Sequence, residues 1–131
     1  MRNGNLNWLH CGVSDDHWLG IIRALIEPRV PESTTFRLSL CSDLWEIAAD
    51  QEQNWDIVTS THNISSPTAS WDWAYRARHQ VPRALRVLLA APDNRLQQLA
   101  LLEAGAQLIL PDIQSFCRAL PTLLMHENSH S

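Results

Sequence analysis

The chain has no lysine. Its ten cationic side chains are all arginine, so no site in it can rest on a lysine ammonium. Other absences narrow the field further. No apolar run approaches the ~20 residues that a membrane-spanning helix needs. The N-terminus lacks the charged segment and long apolar run of a signal peptide. The expectation is a cytoplasmic protein with no membrane partner. No basic face is visible and the formal charge is −4, so the electrostatic footprint of a nucleic-acid binder is missing. There is no glycine-rich phosphate loop and no nucleophile–base pair at a recognisable spacing. The six histidines are scattered, and an enzyme is not expected. Cys11, Cys41 and Cys117 are odd in number and far apart, and they read as three buried thiols in a reducing compartment. His10, Cys11, Cys41 and His62 invite inspection as a soft-metal cluster. No pair among them has the local spacing of a zinc site, and adjacent strand residues such as His10 and Cys11 point to opposite faces. Core cysteines with surface histidines account for them, and no cofactor is expected.

What is present is a regular alternation of short apolar segments with helical patterns. The 131 residues suit one domain with a proper core, ordered from about residue 5 to 125, with a polar C-terminal tail. Asn5 to Val13 is a first apolar segment. Ser14 or Asp15 then caps a helix with Trp18, Ile21, Ile22, Leu25 and Ile26 at helical spacing. Phe36 to Leu40 alternates as a strand. Asp43 caps a helix through about Gln51, and Asp56 to Thr59 is a third strand. A polar loop, Ser60 to Ser70, leads to a helical segment from Trp71 to His79, which Pro82 ends. Its hydroxyls read as turn chemistry satisfying local backbone groups. Leu85 to Leu89 is a fourth strand. Asp93 or Asn94 caps a helix to about Glu103, which Gly105 stops in a left-handed cap. Leu108 to Leu110 is a fifth strand ended by Pro111, and a last helix runs from about Gln114 to Met125. Pro121 falls inside that helix and should kink it or end its first part. Five strands alternating with five helices predict an α/β, flavodoxin-like (βα)5 doubly wound sandwich on a five-stranded parallel sheet. Ligands of such folds bind outside the carboxyl ends of the strands.

Two stretches carry a family resemblance. Leu101-Leu102-Glu103-Ala104-Gly105-Ala106 resembles the end of the fourth helix of response-regulator receiver domains. The spacing from Leu44-Trp45-Glu46 to Trp55-Asp56-Ile57-Val58 is similar to their second helix leading into the third strand. Together the resemblance covers nearly the whole chain. It implies a signalling module in which an acidic pair after the first strand holds Mg²⁺ and an Asp ending the third strand takes a phosphoryl group. A Thr or Ser after the fourth strand and a Lys after the fifth contact the phosphoryl oxygens. Here Asp15 and Asp16 stand where the acidic pair belongs. Counting places Thr61 at the phosphoacceptor position, Ala90 or Ala91 at the hydroxyl position, and Asp112 at the Lys position. A threonine hydroxyl forms no acyl phosphate, alanine offers no side-chain hydrogen bond, and a carboxylate repels phosphate.

The resemblance therefore implies a degenerate pseudo-receiver: a protein–protein interaction module in a two-component or related regulatory assembly. A small-ligand or metal-ion sensor using the strand-end loops is the alternative. Asp15 and Asp16 are read first as helix-capping residues and only second as a metal site, because the usual third carboxylate is missing; Asp112 could supply a carboxylate from the opposite loop, which keeps weak metal binding open. A protein partner is expected, with a homodimer among the candidates. Trp71, Trp73, Tyr75, Arg76 and Arg78 form one candidate interface. Trp71 and Trp73 lie two apart on a helix, so at least one should be exposed. Arg95, Gln98, Gln107 and Arg118 form a second, polar one on the surface that receivers generally use for dimers and output contacts.

Overall fold

The structure, a computed structural model, describes residues 4–12, 17–42, 55–62, 67–90 and 94–125. Its elements are β1 (Gly4–Cys11), α1 (His17–Ile26), β2 (Thr34–Cys41), β3 (Ile57–Thr61), α2 (Pro67–Gln80), β4 (Leu85–Leu89), α3 (Arg95–Ala104), β5 (Leu108–Leu110) and α4 (Ile113–Met125). A 3-10 turn, Glu27–Arg29, follows α1. The five strands are all parallel, in the order β2-β1-β3-β4-β5. The chain thus starts at β1, steps out to one edge, crosses back over β1 and proceeds to the other edge. No helix among the described residues is long and apolar enough to cross a membrane.

Strand alternation divides the core in two. Leu6 and Trp8 of β1, Ile57 of β3, and Leu85, Val87 and Leu89 of β4 face one side, where Trp18, Ile22 and Ile26 of α1 and Phe116, Leu120 and Leu123 of α4 cover them. Leu9, Cys11, Val58 and Leu88 face the other side, under Trp73, Ala74 and Ala77 of α2 and Leu101 and Ala104 of α3. Helices on both faces of a parallel sheet make the architecture doubly wound α/β and flavodoxin-like, as the alternating pattern predicts. The helix expected from Asp43 to Gln51 lies outside the described residues.

The fourth and fifth strands fall where the apolar runs place them. Elsewhere the bounds shift: β1 ends at Cys11 although the apolar segment of the sequence reaches Val13, and β3 is Ile57–Thr61 rather than Asp56 to Thr59. β2 extends two residues before Phe36 and one past Leu40, because its whole length pairs with β1, from Gly4↔Thr34 to Cys11↔Cys41. α2 begins at Pro67, four residues before the expected Trp71, since proline suits a first helical turn. Pro121 does not end α4, which continues to Met125. An internal proline costs a helix about 3 kcal/mol, and burial of Leu120 and Leu123 on either side of it offsets that cost.

Both ends of α3 follow from its sequence. Asn94 is the N-cap, its Oδ1 accepting from the Leu96 and Gln97 amides at 2.9 and 3.1 Å. Gly105 closes the helix with a φ of 151°, a wider angle than the left-handed helical cap that the sequence suggests. Glycine is needed there for a second reason. A Cβ would overlap the Ala74 carbonyl oxygen and the Arg78 Cβ, so α2 crosses the turn against bare backbone.

Candidate functional site at the carboxyl ends of the strands

The strands deliver their last residues to one edge. Thr61 ends β3, half-buried and paired with Leu89, and the next amide, His62, donates to the Leu89 carbonyl at 2.8 Å. Ala90 is the first residue past β4. Its amide donates to the Leu110 carbonyl at 2.9 Å, and its φ of +55° makes it the one non-glycine residue at positive φ among those described. A β-carbon disfavours that region, so the turn out of β4 holds local strain. Leu110 ends β5, and Pro111 and Asp112 turn the chain into α4.

Asp112 is occupied. Its Oδ1 accepts the Ser115 amide at 2.8 Å, and its carbonyl accepts the Phe116 amide at 3.1 Å. It is the N-cap of α4. The Ser115 backbone and hydroxyl hold its carboxyl below the ordinary carboxylate range; desolvation works the other way, and the Arg118 charge and the Gln114 amide add to the lowering. The amino end of α4, which would otherwise offer bare N–H groups to an anion, is already filled by the chain's own carboxylate.

An open cleft of about 590 Å³ lies here, lined by His17, Trp18, Ala90, Pro111, Asp112, Ile113 and Gln114. It brings together two of the residues singled out in the sequence, Ala90 and Asp112. Thr61 is not in its lining. Asp15 and Asp16 lie outside the described residues, although the next residues, His17 and Trp18, form one wall. Among the described residues, the donor set fits a divalent ion poorly. Thr61 and Ala90 supply no carboxylate, Asp112 is spent on its helix, and no group of three His, Cys, Asp or Glu among the described residues is arranged to hold a metal.

Just inside this edge lies a polar cluster that the sequence did not disclose. The Trp8 indole N–H donates to Thr59 Oγ1 at 3.0 Å, and the same hydroxyl is 2.8 Å from His10 Nδ1. Thr59 and His10 are fully buried. A surface histidine was expected at position 10, and the structure corrects this. Strand period places His10 on the Trp8 face, under α1 and α4, where one hydroxyl serves both aromatic rings. The signal was available: Leu6, Trp8 and His10 alternate, so a buried Trp8 implies a buried His10. His62 is half-buried, with Nδ1 2.6 Å from Ser70 Oγ, and desolvation holds its pKa below the usual histidine value.

The two candidate interfaces separate on inspection. Trp71 is 46% exposed and stacks on Tyr75 at 5.5 Å, and Tyr75 meets His79 at 4.4 Å. Trp73 is only 8% exposed and belongs to the core under α2, so it offers no surface to a partner. A 200° separation on the helix leaves room for only one of the two indoles on the sheet side. Arg76 pairs with Asp72 one turn back at 2.9 Å, and Arg78 donates to the Glu103 carbonyl at 3.3 Å. On the second surface Arg95 and Arg118 are exposed and Gln98 is half-buried. Gln107 is tied to the edge of β4, its Oε1 accepting the Arg86 amide at 3.1 Å. The polar character expected of that surface does not hold for α3. Leu96, Leu99 and Leu102 are all exposed, Leu96 to 77%, because the sheet can cover only the stripe of Leu101 and Ala104.

Fold and site together define a doubly wound, flavodoxin-like α/β protein whose strand-end cleft presents methyl, imidazole, indole and capped carboxylate groups. No protein-family model matches the chain, and no curated protein sequence matches it.

Proposed function

We propose that this chain is a receiver-like protein–protein interaction module that has lost aspartyl phosphorylation. The reading rests on the strand-end edge, where a methyl group (Ala90) and a helix-capping carboxylate (Asp112) stand at the positions the receiver resemblance gives to a hydroxyl and an ammonium. No lysine exists elsewhere in the chain to supply the missing cation. Developing negative charge on a phosphoryl group needs nearby cations or donors, and the Asp112 carboxylate would oppose it. The interaction half of the proposal is supported by Trp71 and Tyr75 on α2 and by Leu96, Leu99 and Leu102 on α3. These are large apolar side chains left in solvent on two neighbouring helices, the composition of a protein-binding surface. Signal transduction in a cytoplasmic regulatory assembly is the setting this reading implies.

A small-ligand sensor is the second reading, favoured by the cleft beside His17 and Trp18. The first reading is tested by incubating the protein with acetyl phosphate and Mg²⁺ and measuring its intact mass. No mass gain is expected. A gain of one phosphoryl group on an aspartate would refute the proposal.

A further inference from the structure

The described residues contain one close thiol pair. Cys11 and Cys41 are the last residues of β1 and β2, and they are direct partners in the parallel register. Their side chains emerge on the same side of the sheet, where Cys11 belongs to the core under α2 and α3 and Cys41 packs against it. The two sulfurs are 3.6 Å apart. Neighbouring strands run about 4.8 Å apart, inside the Cα separation of roughly 4.4–6.8 Å that a disulfide tolerates. Side-chain rotation can therefore close the gap without moving the sheet. The thiols are also unequal. Cys11 is buried, whereas Cys41 is partly exposed.

We propose that Cys11 and Cys41 form an oxidisable dithiol that exchanges with low-molecular-weight disulfides. The Cys41 thiolate attacks one sulfur of the small disulfide. The S–S bond breaks, a thiolate leaves, and a mixed disulfide forms on Cys41. The Cys11 thiolate then attacks Cys41 Sγ, the mixed disulfide breaks, and the second thiolate leaves. Two protein thiols are oxidised, one small disulfide is reduced to two thiols, and the two protons from the protein thiols accompany them. Exposure makes Cys41 the entry point, and burial makes Cys11 the resolving thiol. The bond would tie β1 to β2 at their last residues, directly before Gly12 and Ser42. Cys117 is exposed on α4 and takes no part.

The test uses the full chain carrying Cys117→Ser, a surface change, incubated with oxidised glutathione and followed by intact mass and peptide mapping. The expected result is loss of the mass of two hydrogens, a peptide linking residues 11 and 41, and full reversal by dithiothreitol. Cys11→Ser in the same background should trap one glutathionyl group on Cys41. Unchanged circular dichroism confirms that each variant is folded. A glutathionyl adduct that persists on Cys41 with Cys11 present would overturn the proposal. So would an unreacted pair under conditions in which Cys117 of the unmutated chain is modified.

Discussion

The two faces of the sheet are built on different plans. The α1/α4 face is packed with large rings. Trp8 meets Phe116 at 6.3 Å and Phe36 at 6.4 Å, and Trp18 meets Phe116 at 5.6 Å. The buried indole donor of Trp8 is matched by Thr59. The α2/α3 face is packed with alanines, Ala74, Ala77, Ala84, Ala104 and Ala106, which let α2 approach closely at Gly105. Trp73, Leu88 and Leu101 are buried there, but Trp71, Tyr75, Leu96, Leu99 and Leu102 of the same two helices lie outward. Two indole N–H groups, those of Trp55 and Trp73, are buried there without a hydrogen-bond partner among the described residues. α4 exposes Ile113 and Met125 at its two ends, whereas α2 and α3 together expose five large apolar or aromatic side chains. This difference gives the interaction proposal a definite place on the molecule.

The largest effect that would break the comparison is a matched truncation. Phe116→Ala on the first face is expected to cost about 3–5 kcal/mol, whereas Leu99→Ala on the second should stay within about 0.5 kcal/mol. Urea denaturation reads both, and comparable losses would mean that Leu99 is core. A finer contrast uses the indole donors. Trp8→Phe removes a satisfied N–H and leaves Thr59 with His10 as its partner, for about 0.5–1.5 kcal/mol beyond the lost ring volume. Trp73→Phe removes an unsatisfied N–H and should cost distinctly less. Equal costs would remove the polar half of the distinction. Gly105→Ala probes the close approach on the second face, where strain from the positive φ and the Ala74 carbonyl should cost roughly 1–3 kcal/mol, visible as a lowered Tm.

The smallest effect is at the cleft. Asp112 has a depressed carboxyl pKa in the folded protein. Its stabilising contribution is therefore complete above the unfolded carboxylate pKa and is lost as pH falls through the folded value. Asp112→Asn keeps a capping side chain but should flatten that acid limb of the stability profile. An unchanged limb would show that the carboxylate contributes nothing there.

Much of this molecule can be read from its sequence, and the exceptions have physical causes. The spans of β4 and β5 were legible because each apolar run is bounded by a proline or a turn. The α3 cap was legible because Asn and Gly sit at opposite ends of one periodic segment. The burial of His10 was missed because histidine suggests a surface even when its strand neighbours at period two are Leu6 and Trp8. The outward leucines of α3 were missed because four leucines in ten residues do not reveal which stripe the sheet will cover. The Cys11–Cys41 contact depends on the pairing of two strands separated by a helix, and no local pattern encodes that register. At the strand ends, Ala90 and Asp112 were legible as positions. The capping role of Asp112 became evident only with the geometry of α4.

The most direct test of the lost phosphoryl site is a two-dimensional amide NMR titration, first with Mg²⁺ and then with beryllofluoride as a phosphoryl mimic. The account predicts that the amides of Thr61, His62, Ala90, Leu110 and Asp112 and the Trp18 indole stay in place through both additions. Saturable shifts clustered at those groups would contradict it, and would mean that the strand-end site still answers to a phosphoryl group.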